Sequence, residues 1–353
     1  MREHGQDERL QQLGWDGEWA AAAAAATAPA GAEPARVIRS DPHRPLLATA
    51  GGEVRGTATG PLVTGDWVLL AGDAVAARLP RRTELARGAA GRAATRQVLA
   101  ANVDVVLVLV SLAAAPSPAR LDRLLAVAWD SGAQPVVVLT KADLSRTAES
   151  ERDEVAEAAL AAPVLLTSTV DGRGLAGLRG LLRPGRTAVL LGVSGAGKSS
   201  LLNALAGAEV ARVGAVGAAG KGRHTTNARE LTLLPGLGAV VDTPGLRGVR
   251  LWETGGGVER AFADVVELAG RCRFRDCRHA GEPDCAVAAA VAAGELPARR
   301  VAGHARLERE AAWLRDRYGA RLRAEQRRRW KELARAVRSG QRAARARRAG
   351  RPR

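Results

Sequence analysis

Apolar positions recur along this chain in two rhythms. Between residues 35 and 98 they come as short runs, ARVIRS, PLLATAG, EVRGTATG, DWVLLAG and AVAARLP, broken by Gly, Asp and Pro. Short strands at that spacing predict a small antiparallel barrel of the OB type, although an SH3-like barrel leaves nearly the same signature. From residue 102 the rhythm changes. NVDVVLVLVSL is a buried strand, LDRLLAVAWDSG has helical spacing at Leu121, Leu124, Leu125 and Ala128, and PVVVLT is a second strand. Strand, helix and strand in that order predict a parallel α/β sheet over residues 99–250, with ligands bound at the carboxyl ends of its strands. After residue 251 the pattern becomes mainly helical. Ahead of the barrel, residues 1–34 contain an Ala/Pro/Gly/Glu stretch that reads as a low-complexity extension without assigned function.

Three motifs sit on the predicted sheet. TKAD, residues 140–143, follows a strand end. The Asp143 carboxylate suits the paired N1 and N2 donors of guanine, which adenine lacks, and the Lys141 stem can lie against the base. The second motif, Gly192-Val193-Ser194-Gly195-Ala196-Gly197-Lys198-Ser199, fits GxxxxGK[ST] and lies between the strand TAVLLG and the helical SSLLNALAG that begins at Ser199 and Ser200. Its glycines let backbone N–H groups face phosphates at a helix N-terminus, Lys198 supplies charge, and the Ser199 hydroxyl is a Mg²⁺ ligand. Third, GAVVDTPG ends in Asp242, a Mg²⁺ partner through water, and Gly245, whose amide can sense a γ-phosphate. Between the last two lies GKGRHTTNAREL, in which Thr225, or else Thr226, is the expected metal-sensing hydroxyl.

The order of these motifs is informative. TKAD, then TST at 167–169 with Ser168 and Thr169, then the phosphate loop, then GRHTT and DTPG, is the GTPase set cut and rejoined. A circularly permuted chain can build the same sheet when its original ends lie close together. The stretch after DTPG then leads directly into a C-terminal domain.

That domain carries all three cysteines of the chain. Cys272, Cys277, His279 and Cys285 fall within CRFRDCRHAGEPDC and offer three thiolates and one imidazole, a set suited to one structural Zn²⁺. Disulfides are not expected in a cytosolic protein. Beyond it, residues up to 353 are strongly basic: Arg327, Arg328, Arg329, Lys331, Arg335 and Arg338 can line a helix that tracks phosphates.

Charge adds a partner. Lys and Arg number 53 against 37 Asp and Glu, a net charge of +16. A polyanion is implied, nucleic acid before membrane, because no apolar run approaches the ~20 residues needed to span a bilayer. GC-rich coding accounts for part of the overall excess, but not for its clustering at the C-terminus. Within the barrel, where Trp67 is the one aromatic residue, backbone contacts through Arg81, Arg82, Arg87 and Arg92 are expected. The polar, acidic N-terminus is unlike a signal peptide, so a cytoplasmic monomer is expected.

Taken together, ANVD at 101–104, TKAD, GVSGAGKSS, GRHTT, DTPG and the Cys-x4-Cys-x-His-x5-Cys cluster resemble the RsgA or YjeQ family of circularly permuted GTPases over residues 35–340. The resemblance implies an OB barrel, a permuted GTPase domain and a zinc domain over 251–353. It also implies binding of the 30S subunit through 16S rRNA and GTP hydrolysis to GDP during late small-subunit maturation. Two positions depart from the family pattern. Thr140 replaces the usual Asn, which predicts a weaker tie between the guanine and phosphate loops. Thr169 replaces a small residue whose backbone N–H meets the guanine O6. Leu246 stands where many GTPases place a water-orienting Gln, and the resemblance points instead to His224, which otherwise reads as a loop histidine. A permuted large-subunit assembly GTPase and a nucleotide-holding RNA-binding scaffold are the alternatives; an ATP-dependent P-loop enzyme would leave TKAD without a purpose.

Overall fold

The computed structural model describes residues 8–88, 96–160, 162–209, 229–242 and 256–316. The expected His224, Thr225 and Gly245, and the basic tail from residue 317, lie outside these.

The N-terminal stretch is integrated into the fold. Helix α1 (Gly17–Ala25) starts at Asp16, whose carboxylate accepts the Trp19 N–H at 2.9 Å, and continues through alanines that favour helix. Leu10, Leu13 and Trp19 are buried, and Trp15 meets Trp67 edge-on at 4.9 Å between ring centroids. A few large apolar anchors thus fasten a stretch that composition alone marks as low in complexity.

Strands β1 (Glu33–Arg39), β2 (Leu46–Thr49), β3 (Gly52–Arg55), β4 (Trp67–Ala71) and β5 (Ala74–Arg78) pair antiparallel in the order β3-β2-β1-β4-β5. Thr57, just after β3, bridges to Ala74 at the start of β5, so the sheet closes on itself around Ala35, Val37, Leu47, Val68 and Leu70. A separate hairpin follows, β6 (Glu84–Gly88) with β7 (Arg96–Ala101).

The second unit is a mainly parallel sheet. Strands β8 (Val105–Ser111), β9 (Gln134–Thr140), β10 (Val164–Leu166), β11 (Thr187–Leu191), β12 (Glu230–Leu233) and β13 (Ala239–Asp242) lie in the order β10-β9-β8-β11-β13-β12, with β12 antiparallel. Crossovers use α2 (Pro118–Asp130), α3 (Ala148–Ala159), α4 (Leu175–Leu181) and α5 (Lys198–Ala206). Val106 and Val108 pack on one face, Val105, Leu107 and Leu109 on the other, as a strand covered on both sides requires. From β8 the chain winds outward through β9 and β10; from β11 it winds the opposite way. The topological switch therefore lies between β8 and β11, and the crevice opens at their carboxyl ends.

The two sheets are continuous through one pair, Arg39 of β1 opposite Glu230 of β12. Arg36 strengthens the joint. It is fully buried and donates to the carbonyls of Leu13 and Asn102 and to the hydroxyl of Thr187, the first residue of β11.

Helices α6 (Gly257–Ala261), α7 (Ala263–Ala269) and α8 (Ala286–Ala292) follow, then a helix over 298–316. Helix α6 packs so closely on α2 that a Cβ at Gly257 would collide with the Ala126 carbonyl. Arg300 locks this region down: 3% exposed, it pairs with Asp264 at 2.7 Å, donates to the carbonyls of Ala158 and Ala261, and lies over Phe262.

Candidate functional site

The phosphate loop leaves β11 at Leu191 and re-enters regular structure at Lys198, the first residue of α5. Gly197 makes the turn at φ +86°, a left-handed conformation that a side chain disfavours. Lys198 is buried and donates through Nζ to the carbonyls of Gly192 and Val193, both at 2.9 Å. Burial holds its amine below the usual lysine range, against the pull of Asp242.

Asp242 ends β13, beside Leu190 in the register. Burial raises its carboxyl above the ordinary range, partly offset by Lys198, and its Oδ1 is buried without a hydrogen-bond partner among the described residues. An unmatched anionic oxygen beside a phosphate-binding loop is the arrangement a divalent cation satisfies, and the neighbouring Ser199 hydroxyl adds an oxygen donor of the same hard character.

Across the crevice, β9 ends at Thr140. Lys141 adopts φ +59° and ψ +38°, a conformation uncommon for a residue with a Cβ, and this turn leaves the Asp143 carboxylate exposed. The Ala142 N–H donates to the Thr167 carbonyl at 3.1 Å, tying TKAD to TST. Ser168 is buried, and its hydroxyl accepts from the N–H groups of Val170 and Asp171, which fixes the turn that carries Thr169. The Thr140 hydroxyl reaches the phosphate loop itself and donates to the Ala196 carbonyl at 2.8 Å. The Thr140 hydroxyl thus ties TKAD to the phosphate loop directly.

Sequence comparison follows this geometry closely. The chain is 47% identical over 338 residues to the small ribosomal subunit biogenesis GTPase RsgA of Streptomyces avermitilis, covering 91% of each chain. The chain belongs to the RsgA GTPase family. The family model, described as RsgA GTPase, matches residues 78–252. The RsgA protein of Opitutus terrae is 42% identical, over 94% of this chain and 98% of that one. Among solved structures, YjeQ from Thermotoga maritima superposes with a TM-score of 0.61 at 25% identity, over 79% of this chain and 98% of that one. YloQ, described as a circularly permuted GTPase, does so at 0.58 and 25% identity, over 82% and 96%. The order read from the motifs is thus the order of an RsgA GTPase: β9 and β10, which lead into TKAD and TST, precede β11, which leads into the phosphate loop, within one sheet.

The cysteine cluster is assembled as expected. His279 Nδ1 lies 3.7 Å from Cys272 Sγ, 3.5 Å from Cys277 Sγ and 3.4 Å from Cys285 Sγ, and Cys272 and Cys285 are 3.9 Å apart. A tetrahedron with zinc–sulfur and zinc–nitrogen bonds of about 2.3 and 2.0 Å has edges of about 3.5–3.8 Å; these four distances are close to that, and all four donor atoms lie within 4.8 Å of one another. Cys285 also caps α8, its sulfur accepting the Ala288 N–H. Sequence spacing gave no hint of Glu282. Its carboxylate accepts the N–H groups of Arg278 and Ala280 at 3.0 and 2.7 Å, bonds that draw its pKa down to about 2 and hold the turn bearing His279.

The barrel arginines divide. Arg81 is turned inward, bidentate on Asp66 at 2.6 and 2.8 Å and bonded to Glu84. Arg82 lies over Trp19 and pairs with Asp16. Both have carboxylate partners distant in sequence, which short-range pattern cannot reveal. Among the described residues Arg87 keeps only a neutral partner, Gln97, and Arg92 is outside the described residues.

Proposed function

We propose that this protein docks on the 30S ribosomal subunit through 16S rRNA and, once docked, hydrolyses GTP to GDP and phosphate to assist late small-subunit maturation. The observation that supports the reading is the Thr140–Ala196 bond, which joins TKAD to the phosphate loop at the carboxyl ends of β9 and β11. The small-subunit assignment is supported by family membership and by the names of the Streptomyces relatives.

In this reading Asp143 accepts from guanine N1 and N2, Lys141 packs on the base, and the turn held by Ser168 presents the Thr169 amide to O6. N–H groups of residues 192–200 surround the phosphates. Lys198 gives up the Gly192 and Val193 carbonyls to donate to the β- and γ-phosphates. Ser199, Thr225 and Asp242 would hold Mg²⁺, which supplies positive charge to phosphate oxygens as negative charge shifts in the transition state. The Gly245 amide senses the γ-phosphate and His224 orients water. The Cys272, Cys277, His279 and Cys285 set holds one structural Zn²⁺. The protein acts as a cytoplasmic monomer. Among the described residues no helix is long and apolar enough to cross a membrane.

GTP turnover measured alone, with 30S, with 50S and with ATP in place of GTP tests this. Strong stimulation by 30S alone, with ATP inert, is expected. Equal stimulation by 50S would indicate a large-subunit factor, and none by either a nucleotide-holding scaffold. A His224→Ala protein with normal GTP binding and full 30S-stimulated turnover would remove His224 from the mechanism.

A further inference from the structure

The barrel has no aromatic platform for a nucleic-acid base, because Trp67, its one aromatic residue, is 1% exposed. The loop between Cys272 and Cys277 does have one. Phe274 is 42% exposed there, and the Arg273 guanidinium lies over its ring, 5.6 Å from the centroid.

This loop is held at both ends. Cys272 and Cys277 place their sulfurs 3.7 and 3.5 Å from His279 Nδ1, and the Cys277 N–H donates to the Phe274 carbonyl at 3.3 Å, which closes residues 274–277 into a turn. Arg273 is fixed as well. Its N–H donates to the Asp284 carbonyl at 3.4 Å and its guanidinium to the Asp284 carboxylate at 2.8 Å, beside Cys285. Ring and guanidinium therefore form one surface arranged before any ligand arrives, which lowers the cost of ordering it on binding.

The residues flanking the ring are charged. Arg271, Arg273, Arg275, Asp276 and Arg278 are all exposed. Arg271 pairs with Glu267 and Arg273 with Asp284, whereas Arg275 and Arg278 have no carboxylate partner among the described residues. The apolar core of a protein partner would meet a single ring here. An unpaired base presents a flat π face, and the phosphates of its own chain can face the free arginines, so it matches both features.

We propose that Phe274, backed by Arg273, stacks on one unpaired RNA base while Arg275 and Arg278 hold the adjoining phosphates. The identity of that RNA as 16S rRNA rests on the small-subunit reading above. The stack gives the protein a grip on a single-stranded segment, which contacts to backbone phosphate alone do not provide.

The test uses full-length, zinc-loaded protein: wild type, Phe274→Ala, Phe274→Leu, Phe274→Trp, and a double variant combining Arg275→Gln with Arg278→Gln. Binding to 30S subunits and to a protein-free 16S rRNA transcript is measured over a KCl series. Zinc content and GTP turnover without 30S should match wild type in every variant. Phe274→Ala should weaken binding to both about 5- to 150-fold, the loss of one stacked base, with the slope of log K against log salt unchanged. Phe274→Leu keeps apolar bulk without a π face and should lose nearly as much, while Phe274→Trp should retain wild-type affinity. The double arginine variant should lower the salt slope by about 1.4, two single-strand phosphate contacts at about 0.7 each. Wild-type affinity in Phe274→Ala would overturn the proposal, and so would full binding by Phe274→Leu, which would make the contact merely apolar. Loss confined to 30S particles, with transcript binding intact, would assign the ring to a ribosomal protein and overturn the RNA partner. An unchanged slope in the double variant would overturn the phosphate contacts. If wild type itself is not stimulated by 30S, the small-subunit reading fails, while the transcript measurements still decide the stack.

Discussion

Thr140 on β9 and Ala196 in the phosphate loop are joined by a 2.8 Å hydrogen bond from hydroxyl to carbonyl, across 56 residues of sequence. A second Thr140 contact, to the Val110 carbonyl at 3.5 Å, is at the limit of a hydrogen bond, so the Ala196 bond carries the link. Thr140→Val keeps the shape and removes the donor, leaving a buried carbonyl unmatched. Such a loss costs about 1–3 kcal/mol, so GTP affinity should fall about 5- to 150-fold by fluorescent-nucleotide titration. Unchanged affinity would show that the tie does not hold the loops for nucleotide.

Asp242 carries a buried oxygen with no partner, and burial raises its carboxyl above the ordinary value. For a group raised in the folded state, stability is fully present below the unfolded pKa and is lost as pH rises through the folded one. The nucleotide-free protein should therefore be less stable at neutral pH than Asp242 in its protonated form would allow. Asp242→Asn should raise the nucleotide-free Tm at pH 7, lose that gain as pH falls through the raised Asp242 pKa to the ordinary carboxylate range, and abolish GTP turnover. Calorimetry in the absence of nucleotide that finds the same Tm for both proteins at pH 7 would contradict this.

Cys285 belongs to the Cys272, Cys277, His279 and Cys285 cluster, proposed above to hold zinc, and it also caps α8. Cys285→Ser keeps an oxygen able to cap but removes a soft ligand. We expect metal analysis to fall from about one zinc per chain towards zero, since losing one of four ligands opens a closed structural site. Far-UV circular dichroism should show helix loss on chelation of wild type. Retention of stoichiometric zinc by the variant would reassign the ligand set.

Trp19 is buried against the barrel, with its ring centroid 6.1 Å from that of Trp67 and with Arg82 over its face at 4.1 Å. Trp19→Ala should cost about 3–5 kcal/mol, as large-to-small core changes of aromatic residues do. Denaturant unfolding would read this as a clear drop in midpoint. A shift within the error of wild type would return residues 8–25 to the status of a dispensable extension.

Short-range pattern was enough for much of this molecule. The continuous apolar runs that became β8, β9 and β11 are legible because a parallel strand buried on both faces has no polar positions. The glycine, lysine and serine of the phosphate loop and the Cys272, Cys277, His279 and Cys285 cluster are legible because each chemistry demands particular residue types at fixed spacing, and the motif order alone revealed the permutation. What needed the tertiary structure were contacts between residues far apart in the chain. Arg81 and Arg82 look like RNA contacts until Asp66 and Asp16 are brought to them. The Thr140–Ala196 bond and the packing of Trp15 and Trp19 on Trp67 likewise join residues far apart in the chain. Local sequence sets propensities and chemical types; which charges are neutralised, and which donors find acceptors, depends on distances that only the packed chain fixes.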